Sequence, residues 1–301
     1  MIENHERKYN YSIIIVTYNP DWDKFILTLD ATIHQRYVSF EIIICDDGSK
    51  NNYESDLREY FYMNNFSNYK LVMNKENQGI VKNVLSGVRV ANGEYLKLIS
   101  PGDYFYDEEV LHDFLLFINK NPAEVYFGKA IYYRDEKSEV GNLERKIFDI
   151  NNPRDITPYV RYNQKKIRFN YIYLRDYILG ASFIIEREIH KNYLEQLEDK
   201  VIYCEDCSVI AMIADNKKVA YFDKPFIWYE YGFGISTQKN QEWEKKLNED
   251  NKVAFTILKE KKSISRIEYD VYYGKSRVYR RLLRCIFVYP KLFLRKIWNY
   301  K

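Results

Sequence analysis

The feature that most constrains the fold is the regular alternation of apolar runs with amphipathic stretches in the first 120 residues. The apolar runs are nearly continuous, as in strands buried on both faces, and they lie at residues 11–19, 40–49, 69–74 and 93–100. Amphipathic stretches predict helices after each of them, at residues 21–34, 53–63, 78–91 and 107–119. This order predicts an α/β fold with a mostly parallel, Rossmann-like sheet flanked by helices.

The pattern is looser past residue 121. Further strands are expected at residues 123–135, 179–188 and 217–232, with a helix at 203–215. Residues 134–179 show no clear period, and they are too many for a structureless connection in a compact domain. We therefore expect a functional or locally helical segment there. From about Gln241 the chain is predicted to be helical and increasingly basic.

Charge and hydropathy exclude several classes of protein. The net charge is only +3, so the chain as a whole is not expected to bind nucleic acid. The segment MIENHERKYN at the start lacks the apolar run of a signal peptide, and no stretch approaches the length of a membrane-spanning helix. These features predict a cytoplasmic protein, either free or attached peripherally to the inner face of the cell membrane.

The four cysteines do not suggest a disulfide scaffold in a chain of 301 residues. Cys204 and Cys207 form a C-x-x-C pair, but no second pair with the spacing of a zinc site accompanies them. We interpret them as packing thiols rather than as a redox or metal motif.

Polar residues follow the predicted strands, where ligands bind in open α/β sheets. They are Thr17, Tyr18 and Asn19 after the first strand, Asp46 and Asp47 after the second, and Ser100 and Asp103 after the fourth. Each group alone is an ordinary turn signal. Together they predict a nucleotide site, because carboxylates can accept hydrogen bonds from a base or ribose.

The helix after the third strand begins near Gly79, and its amide end would favour a phosphate. Lys82, one turn into that helix, would add a full positive charge. Neither G-x-x-x-x-G-K-[ST] nor a G-x-G-x-x-G after the first strand is present. An ATP site of the P-loop type and the usual dinucleotide fingerprint are therefore not expected.

The segments SIIIVTYN, EIIICDDGS and NKENQGIVKNVLSGVRVANGEYLKLI, with the later ED pair, resemble the inverting family 2 glycosyltransferases of the GT-A fold. The third segment is the most specific, because its Asn and Gly residues keep the family's spacing. The resemblance covers residues 11–115 well and 180–237 more loosely. It implies a nucleotide-diphosphate sugar donor, a UDP-sugar first among them, usually with Mg²⁺ or Mn²⁺.

The resemblance also implies roles for single residues. Thr17 and Tyr18 resemble the first donor contacts, and the pair at 46–47 resembles the carboxylates that meet the base and ribose. Asp206 resembles the general base, while Glu205 would orient the loop or contact the acceptor. Ser236, at the polar end of YEYGFGIST, lies in a segment that resembles the donor- or acceptor-side loop.

On this basis the chain is divided into three parts. Residues 1–120 are the nucleotide-sugar-binding half, residues 121–240 the acceptor-binding and catalytic-base half, and residues 241–301 a basic helical extension.

The chain departs from the family pattern after the fourth strand. The family commonly carries a D-x-D-D type segment there, whereas this sequence reads SPGD and keeps only Asp103. We interpret Asp103 as the remaining metal or diphosphate-site carboxylate, since Mg²⁺ often takes only one or two protein carboxylates. The alternative is a Pro-Gly turn with a solvated Asp. Without a metal, Lys82 and the helix terminus would stabilise the leaving diphosphate.

Two other readings stay open at this point. Acidic residues such as Glu205 and Asp206 also favour the first turn of a helix for dipole reasons alone. Between residues 275 and 301 the chain has nine Lys or Arg residues and no Asp or Glu. This basic amphipathic segment would either lie on an anionic membrane surface or pack on the body of the protein.

The leading hypothesis is an inverting glycosyltransferase acting on a glycan, lipid-linked or protein-linked acceptor in cell-surface polysaccharide or glycoconjugate synthesis. The alternative is a catalytically weak partner subunit with the same fold. It is suggested by the segment after the fourth strand, which keeps only one of the carboxylates common in the family. A sugar nucleotidyltransferase would need a Gly-rich phosphate loop after the first strand, and VTYNPDWDKF lacks one.

Overall fold

The computed structural model describes residues 9–137, 142–234 and 240–298. The strands of this part are β1 (Tyr9–Thr17), β2 (Phe40–Asp46), β3 (Tyr69–Met73), β4 (Gly93–Ile99), β5 (Tyr104–Phe105), β6 (Val125–Lys137), β7 (Leu143–Phe148), β8 (Phe183–Glu186) and β9 (Val219–Glu230). The helices are α1 (Trp22–Ile33), α2 (Glu54–Met63), α3 (Ile80–Val90), α4 (Val110–Lys120), α5 (Thr157–Val160), α6 (Gln164–Phe169), α7 (Arg187–Glu195), α8 (Cys207–Ala214), α9 (Gln241–Glu260), α10 (Arg266–Tyr273), α11 (Arg277–Phe287) and α12 (Pro290–Trp298).

These strands form one sheet in the order β3-β2-β1-β4-β8-β6-β9-β5, with β7 paired to β6 outside this path. β3, β2, β1 and β4 are parallel neighbours, and β6 and β9 are parallel as well. β8 is antiparallel to both of its neighbours, and β5 is antiparallel to β9. The prediction of an α/β fold with a mostly parallel sheet flanked by helices is confirmed.

Continuous apolar runs form the central strands because both faces of the sheet are covered. Ile13 and Ile15 pack with α1 on one face, whereas Ile14 packs with α3 on the other, and all three are fully buried. Gly87 lets α3 approach the sheet closely. A Cβ atom at that residue would lie 2.4 Å from Cys45 Sγ. The strand ends that α3 covers are therefore held at a short, fixed distance from the helix.

The segment at 134–179 is more ordered than its sequence suggests. β6 continues to Lys137 and pairs with β7. The short helices α5 and α6 lead into a short π-helix, Asn170–Leu174, which is called the π turn below. The expectation of a locally helical segment holds for its second part. The strand β7 was missed because most of its side chains on both faces are exposed, so that no apolar alternation marks it.

The helices after residue 240 are confirmed, and the first of them is part of the body. α9 buries Ala254, Phe255 and Leu258 in the same apolar cluster as α8. α10 begins with a capping box formed by Ser265 and Glu268. None of the helices described here is long and apolar enough to cross a membrane.

Candidate functional site

The loops after β1 and β2 are joined into one rim. Asp46 Oδ1 accepts from the N–H of Ser49 at 2.7 Å, and the Ser49 hydroxyl donates to the other carboxylate oxygen. The same hydroxyl accepts from the N–H of Asn19 at 2.6 Å, and Asn19 Oδ1 accepts from the N–H of Lys50 at 2.9 Å. Asn19 has a φ of 47°, a left-handed conformation that Asn tolerates better than most residues. The rim is thus preorganised by its own side chains.

Thr17 ends β1 beside this rim. Its carbonyl accepts from the N–H of Asp47 at 2.9 Å, but its buried hydroxyl has no hydrogen-bond partner among the described residues. A buried hydroxyl without a partner is uncommon and costs stability, so it marks a place where a ligand group can bind. The next residue, Tyr18, has half of its side chain exposed, which leaves its ring available at the edge of the rim.

Asp47 ties the end of β2 to the start of α3. Its carboxylate accepts from the N–H groups of Gln78 at 2.9 Å and Gly79 at 3.0 Å, and burial raises its pKa. The N–H of Val81 donates to the carbonyl of Ile202 at 3.1 Å. Gly79 has a φ of 92°, and a Cβ there would lie 2.5 Å from Ile202 Cγ2. These amides at the start of α3 therefore already bind protein groups.

Lys82 lies on the outer side of α3. Its ammonium pairs with Asp199 at 2.7 Å; the Lys82 side chain is partly exposed and that of Asp199 is exposed. The phosphate roles expected of Gly79 and Lys82 stay predictions, and in this structure a donor would have to displace or share the bonds that both residues make.

Asp103 is buried, with 6% of its surface exposed, so the alternative of a solvated Asp on a turn is wrong. Its Oδ1 accepts from the N–H of Glu230 at 2.9 Å, which ties the turn after β4 to the end of β9. The fully buried Lys97 supplies the compensating positive charge. Burial raises the pKa of Asp103 to about 7 and lowers that of Lys97 to about 7, while each charge favours the other.

The residues around Asp103 do not build a complete metal site. Within the described residues, no group of three or more His, Cys, Asp or Glu side chains is placed to hold an ion. Asp103 already accepts a backbone hydrogen bond, and the charge of the buried Lys97 acts on the same carboxylate. A divalent cation at this rim would therefore depend on oxygen ligands that the donor itself brings.

The ED pair lies at the start of α8, as predicted. Asp206 is the N-cap residue of α8, but its side chain makes no capping hydrogen bond. Helix capping alone therefore does not explain this carboxylate. It lies instead against the backbone of Gly180, where a Cβ atom would be 2.6 Å from Asp206 Oδ1. The sequence pattern did not single out Gly180, because the two residues are far apart in the chain.

Glu205 and Asp206 line a small cavity of about 10 Å³, with room for about one water molecule, between β4, β8 and α7. Burial raises the pKa of both carboxyl groups, and the charge of Asp206 raises that of Glu205 further. A carboxylate with a raised pKa is a stronger base than an exposed one. The pair can therefore take up a proton near neutral pH.

Contacts join these groups around the carboxyl ends of β1, β2 and β4. Asp47 binds the start of α3, and the start of α3 packs on the loop that leads to Asp206. Asp206 lies against Gly180, and the carbonyl of the next residue, Ala181, accepts a hydrogen bond from Lys97. The charge of Lys97 in turn acts on Asp103. The predicted carboxylates thus belong to one continuous rim of the sheet.

The family model described as glycosyl transferase family 2 matches residues 12–194. The chain belongs to this family. Among curated proteins it is similar to glycosyltransferase GlyG of Streptococcus pneumoniae, with 24% identity over 220 residues, covering 65% of this chain and 68% of GlyG. An uncharacterized glycosyltransferase of Rickettsia conorii is 28% identical over 184 residues, covering 58% of this chain and 26% of that protein.

A solved structure with a similar fold is that of residues 1–349 of S. aureus TarS in complex with UDP-GlcNAc. It has a TM-score of 0.55 and 16% sequence identity, covering 88% of this chain and 76% of that one. This likeness confirms the GT-A fold that the sequence motifs of the family 2 glycosyltransferase predict.

Asp250 is a residue of this glycosyltransferase that sequence reasoning missed. It is buried on α9, and its carboxylate accepts from the N–H groups of Ile202, Tyr203 at 2.6 Å and Cys204 at 3.0 Å. This fixes the loop that leads directly to Glu205. An acid in an amphipathic helix looks like part of a solvated face, so its sequence carries no signal of this contact.

The remaining predicted residues are Ser100, Ser236 and the two cysteines of the C-x-x-C pair. Ser100 is exposed after β4, and its carbonyl accepts from the N–H of Asp103 at 3.0 Å. Ser236 lies outside the described residues. Cys204 and Cys207 are free thiols, and their mutual hydrogen bond, with burial, raises the pKa of Cys204 well above its usual value. A raised pKa disfavours the reactive thiolate.

Proposed function

We propose that this family 2 glycosyltransferase moves a sugar from a nucleotide-diphosphate donor to an acceptor hydroxyl with inversion at the anomeric carbon. A UDP-sugar is the first candidate donor. Family membership and the preorganised rim support this proposal, and UDP-GlcNAc is a natural probe because the TarS structure with the same fold contains it.

The donor nucleotide binds, in this proposal, across the ends of β1 and β2. The unpartnered hydroxyl of Thr17 makes a hydrogen bond to the donor, and the exposed ring of Tyr18 stacks on the base. Asp46 meets the base or ribose through a carboxylate that Ser49 orients. Asp47 acts mainly by holding α3 in place, since both of its oxygens bind backbone amides.

Asp206 is the proposed general base, and its position is the observation that carries the proposal. An inverting transfer is a single displacement, so the acceptor hydroxyl must lose its proton as it attacks. The Asp206 carboxylate lies against Gly180 on the rim, makes no capping bond and has a raised pKa. These properties suit a group that takes up one proton per transfer, with Glu205 beside it to orient the loop or contact the acceptor.

The leaving diphosphate needs positive charge or fixed dipoles near the end of β4. Asp103 is the protein carboxylate that the resemblance assigns to a divalent cation, Mg²⁺ or Mn²⁺. Such a cation would supply charge stabilisation of the diphosphate when bound. The chain's own contribution is the buried Lys97, which donates to the carbonyl of Ala181, next to Gly180, and whose charge favours the ionised form of Asp103.

The acceptor is proposed to be a hydroxyl of a glycan, a lipid-linked or a protein-linked molecule in cell-surface polysaccharide or glycoconjugate synthesis. Its subsite would lie beside Asp206, in the half of the chain from residue 121 to residue 240.

Donor hydrolysis across a panel of UDP-, GDP-, CMP- and dTDP-sugars tests the proposal, with wild-type protein assayed in Mg²⁺, in Mn²⁺ and in EDTA. We expect a UDP-sugar to be hydrolysed fastest. Loss of hydrolysis in EDTA that Mg²⁺ or Mn²⁺ restores would support the cation at Asp103. Hydrolysis unaffected by EDTA would indicate that protein groups, and not a cation, stabilise the charge of the leaving diphosphate.

The same panel separates the enzyme from the alternative of a catalytically weak partner subunit. Binding of UDP without hydrolysis of any donor, and without transfer to any acceptor, would contradict the enzymatic proposal and favour the partner subunit.

A further inference from the structure

The C-terminal tail, defined here as residues 275–298, carries a charge opposite to that of the rest of the protein. Nine Lys or Arg residues and no Asp or Glu lie between residues 275 and 301. The whole chain has 46 basic and 43 acidic residues, so the rest of the molecule is net acidic. The tail is therefore a local basic feature and not part of a uniformly basic protein.

One face of α11 fixes the tail to the body. Leu283 is buried, and the ring of Phe287 stacks on that of Tyr173 in the π turn, with centroids 5.4 Å apart. Arg280 Nη1 donates to the carbonyl of Tyr272 at 3.2 Å, and the Arg284 guanidinium lies over the Tyr272 ring at 4.9 Å. The position of α11 on the surface is thus set by apolar and cation–π contacts.

The outer side of the tail has apolar side chains that nothing in the described structure covers. On α11, Val278 and Leu282 are exposed one turn apart. α12 has no buried side chain. Its exposed Leu294, Ile297 and Trp298 fall on one side of the helix, and Trp298 is 81% exposed. The sequence left open whether the tail packs on the body, and the structure shows that only one face of α11 does so.

Apart from Arg280 and Arg284, which contact Tyr272, the basic side chains of the tail are also available. In residues 275–298, none of the Lys or Arg side chains forms an ion pair with a carboxylate of the described chain. On α12, Arg295 and Lys296 lie on the side of the helix away from Ile297, with the exposed Leu292 between them, and Lys291 precedes Leu294 by one turn. The helix therefore exposes both apolar and cationic side chains.

We propose that the C-terminal tail docks on the surface of an anionic phospholipid bilayer. Exposed Leu, Ile and Trp side chains insert at the boundary of headgroups and acyl chains, where Trp is favoured. Lys and Arg beside them pair with lipid phosphates, and each cation near an anionic surface adds attraction. Two short consecutive helices with exposed apolar side chains, one of them anchored on the body, suit a flat surface.

Other occupants fit these observations less well. A second copy of the chain packed tail to tail would bring two strongly basic segments together, which like-charge repulsion opposes. A nucleic acid would neutralise the cations but would leave Leu294, Ile297 and Trp298 in water. Only a surface that is anionic and has an apolar layer beneath its charges can bind both the cationic and the apolar side chains of α12.

Sedimentation with vesicles tests the proposal on the full-length protein. We expect binding to vesicles of equal parts phosphatidylglycerol and phosphatidylcholine, little binding to phosphatidylcholine alone, and weaker binding at about 0.5 M NaCl because salt screens the charges. Reversing Lys291, Arg295 and Lys296 to Glu should weaken the partition by more than about tenfold. These side chains are exposed, so the variant should keep its fold and melting temperature.

A matched control reverses Lys165, Lys245 and Lys252 to Glu, three exposed cations outside the tail, and should leave the partition within about twofold. Vesicles should also shift the Trp emission of the wild type to the blue, and the shift should be much smaller in Trp298→Phe. Equal losses in the two triple variants, or equal binding to both kinds of vesicle, would overturn the proposal. So would tail-dependent dimerisation or RNA binding with no vesicle binding.

Discussion

At the scale of single residues, the site depends on carboxylates whose surroundings differ. Both carboxylate oxygens of Asp47 accept from backbone amides. Asp103 accepts from the N–H of Glu230, and the charge of the buried Lys97 favours its ionised form. Asp206 accepts no capping bond and lies against a glycine. The types of these residues were predictable from the sequence. Their division into carboxylates that bind the backbone and a proposed base was not, because it follows from contacts between distant parts of the chain.

The raised pKa of the Asp206 carboxyl predicts how transfer depends on pH. Only the deprotonated base can accept the acceptor's proton, so transfer should fall as the pH drops through the raised pKa. The acid limb of kcat/KM should therefore lie well above the usual Asp pKa of about 3.9. Transfer rates from pH 4.5 to 9, with circular dichroism at each pH to monitor folding, measure this. A rate that stays constant down to pH 4.5 would contradict it.

The unpartnered Thr17 hydroxyl predicts a change in binding without a loss of stability. Thr17→Val should weaken UDP binding by about three- to tenfold, because one hydrogen bond to the ligand is lost, with the free energy of unfolding nearly unchanged. Thr28→Val is the matched control. Its buried hydroxyl donates to the Asp103 carbonyl at 2.7 Å, so its loss should lower the free energy of unfolding by about 1–3 kcal/mol.

Calorimetry with UDP and urea unfolding of both variants separate these effects. If Thr17→Val lost stability and kept its full UDP affinity, the hydroxyl would be structural and the donor role of Thr17 would be wrong.

At the scale of elements, the parallel strands and their helices were predictable because both faces of the sheet are buried. Their apolar runs carry that signal. The strand β7 and the π turn were not predictable, since β7 is exposed and the π turn is one short irregular piece. α9 was expected to be a helical extension, but its sequence could not show that it holds the loop before Glu205.

Asp250 on α9 is therefore predicted to be a positioning residue. Asp250→Ala removes the acceptor of three amides, so the loop at 202–204 should exchange its amide hydrogens faster, and kcat should fall with the donor KM little changed. Glu249→Ala, at an exposed neighbour on the same helix, should change neither. Unchanged protection of these amides in Asp250→Ala would show that α9 does not hold the loop.

At the scale of the whole molecule, one rim of a single sheet joins the proposed donor site and the proposed base. The first half of the chain supplies the ends of β1, β2 and β4, and the second half supplies Gly180 and Asp206. The basic tail lies on the π turn, and the charge of Asp206 is one of the causes that, after burial, raise the pKa of Tyr171 in that turn. Its sequence indicated an amphipathic helix, and only the structure shows which side is free.

The most direct test of this account compares Asp206→Asn with the wild type in sugar transfer and in UDP binding, side by side. We predict that transfer falls by about 10²-fold or more while UDP affinity stays within about twofold, because the substitution removes the base and keeps the shape of the site. Asp149→Asn, at an exposed Asp, is the matched control and should transfer normally. Transfer by Asp206→Asn at the wild-type rate would contradict the account.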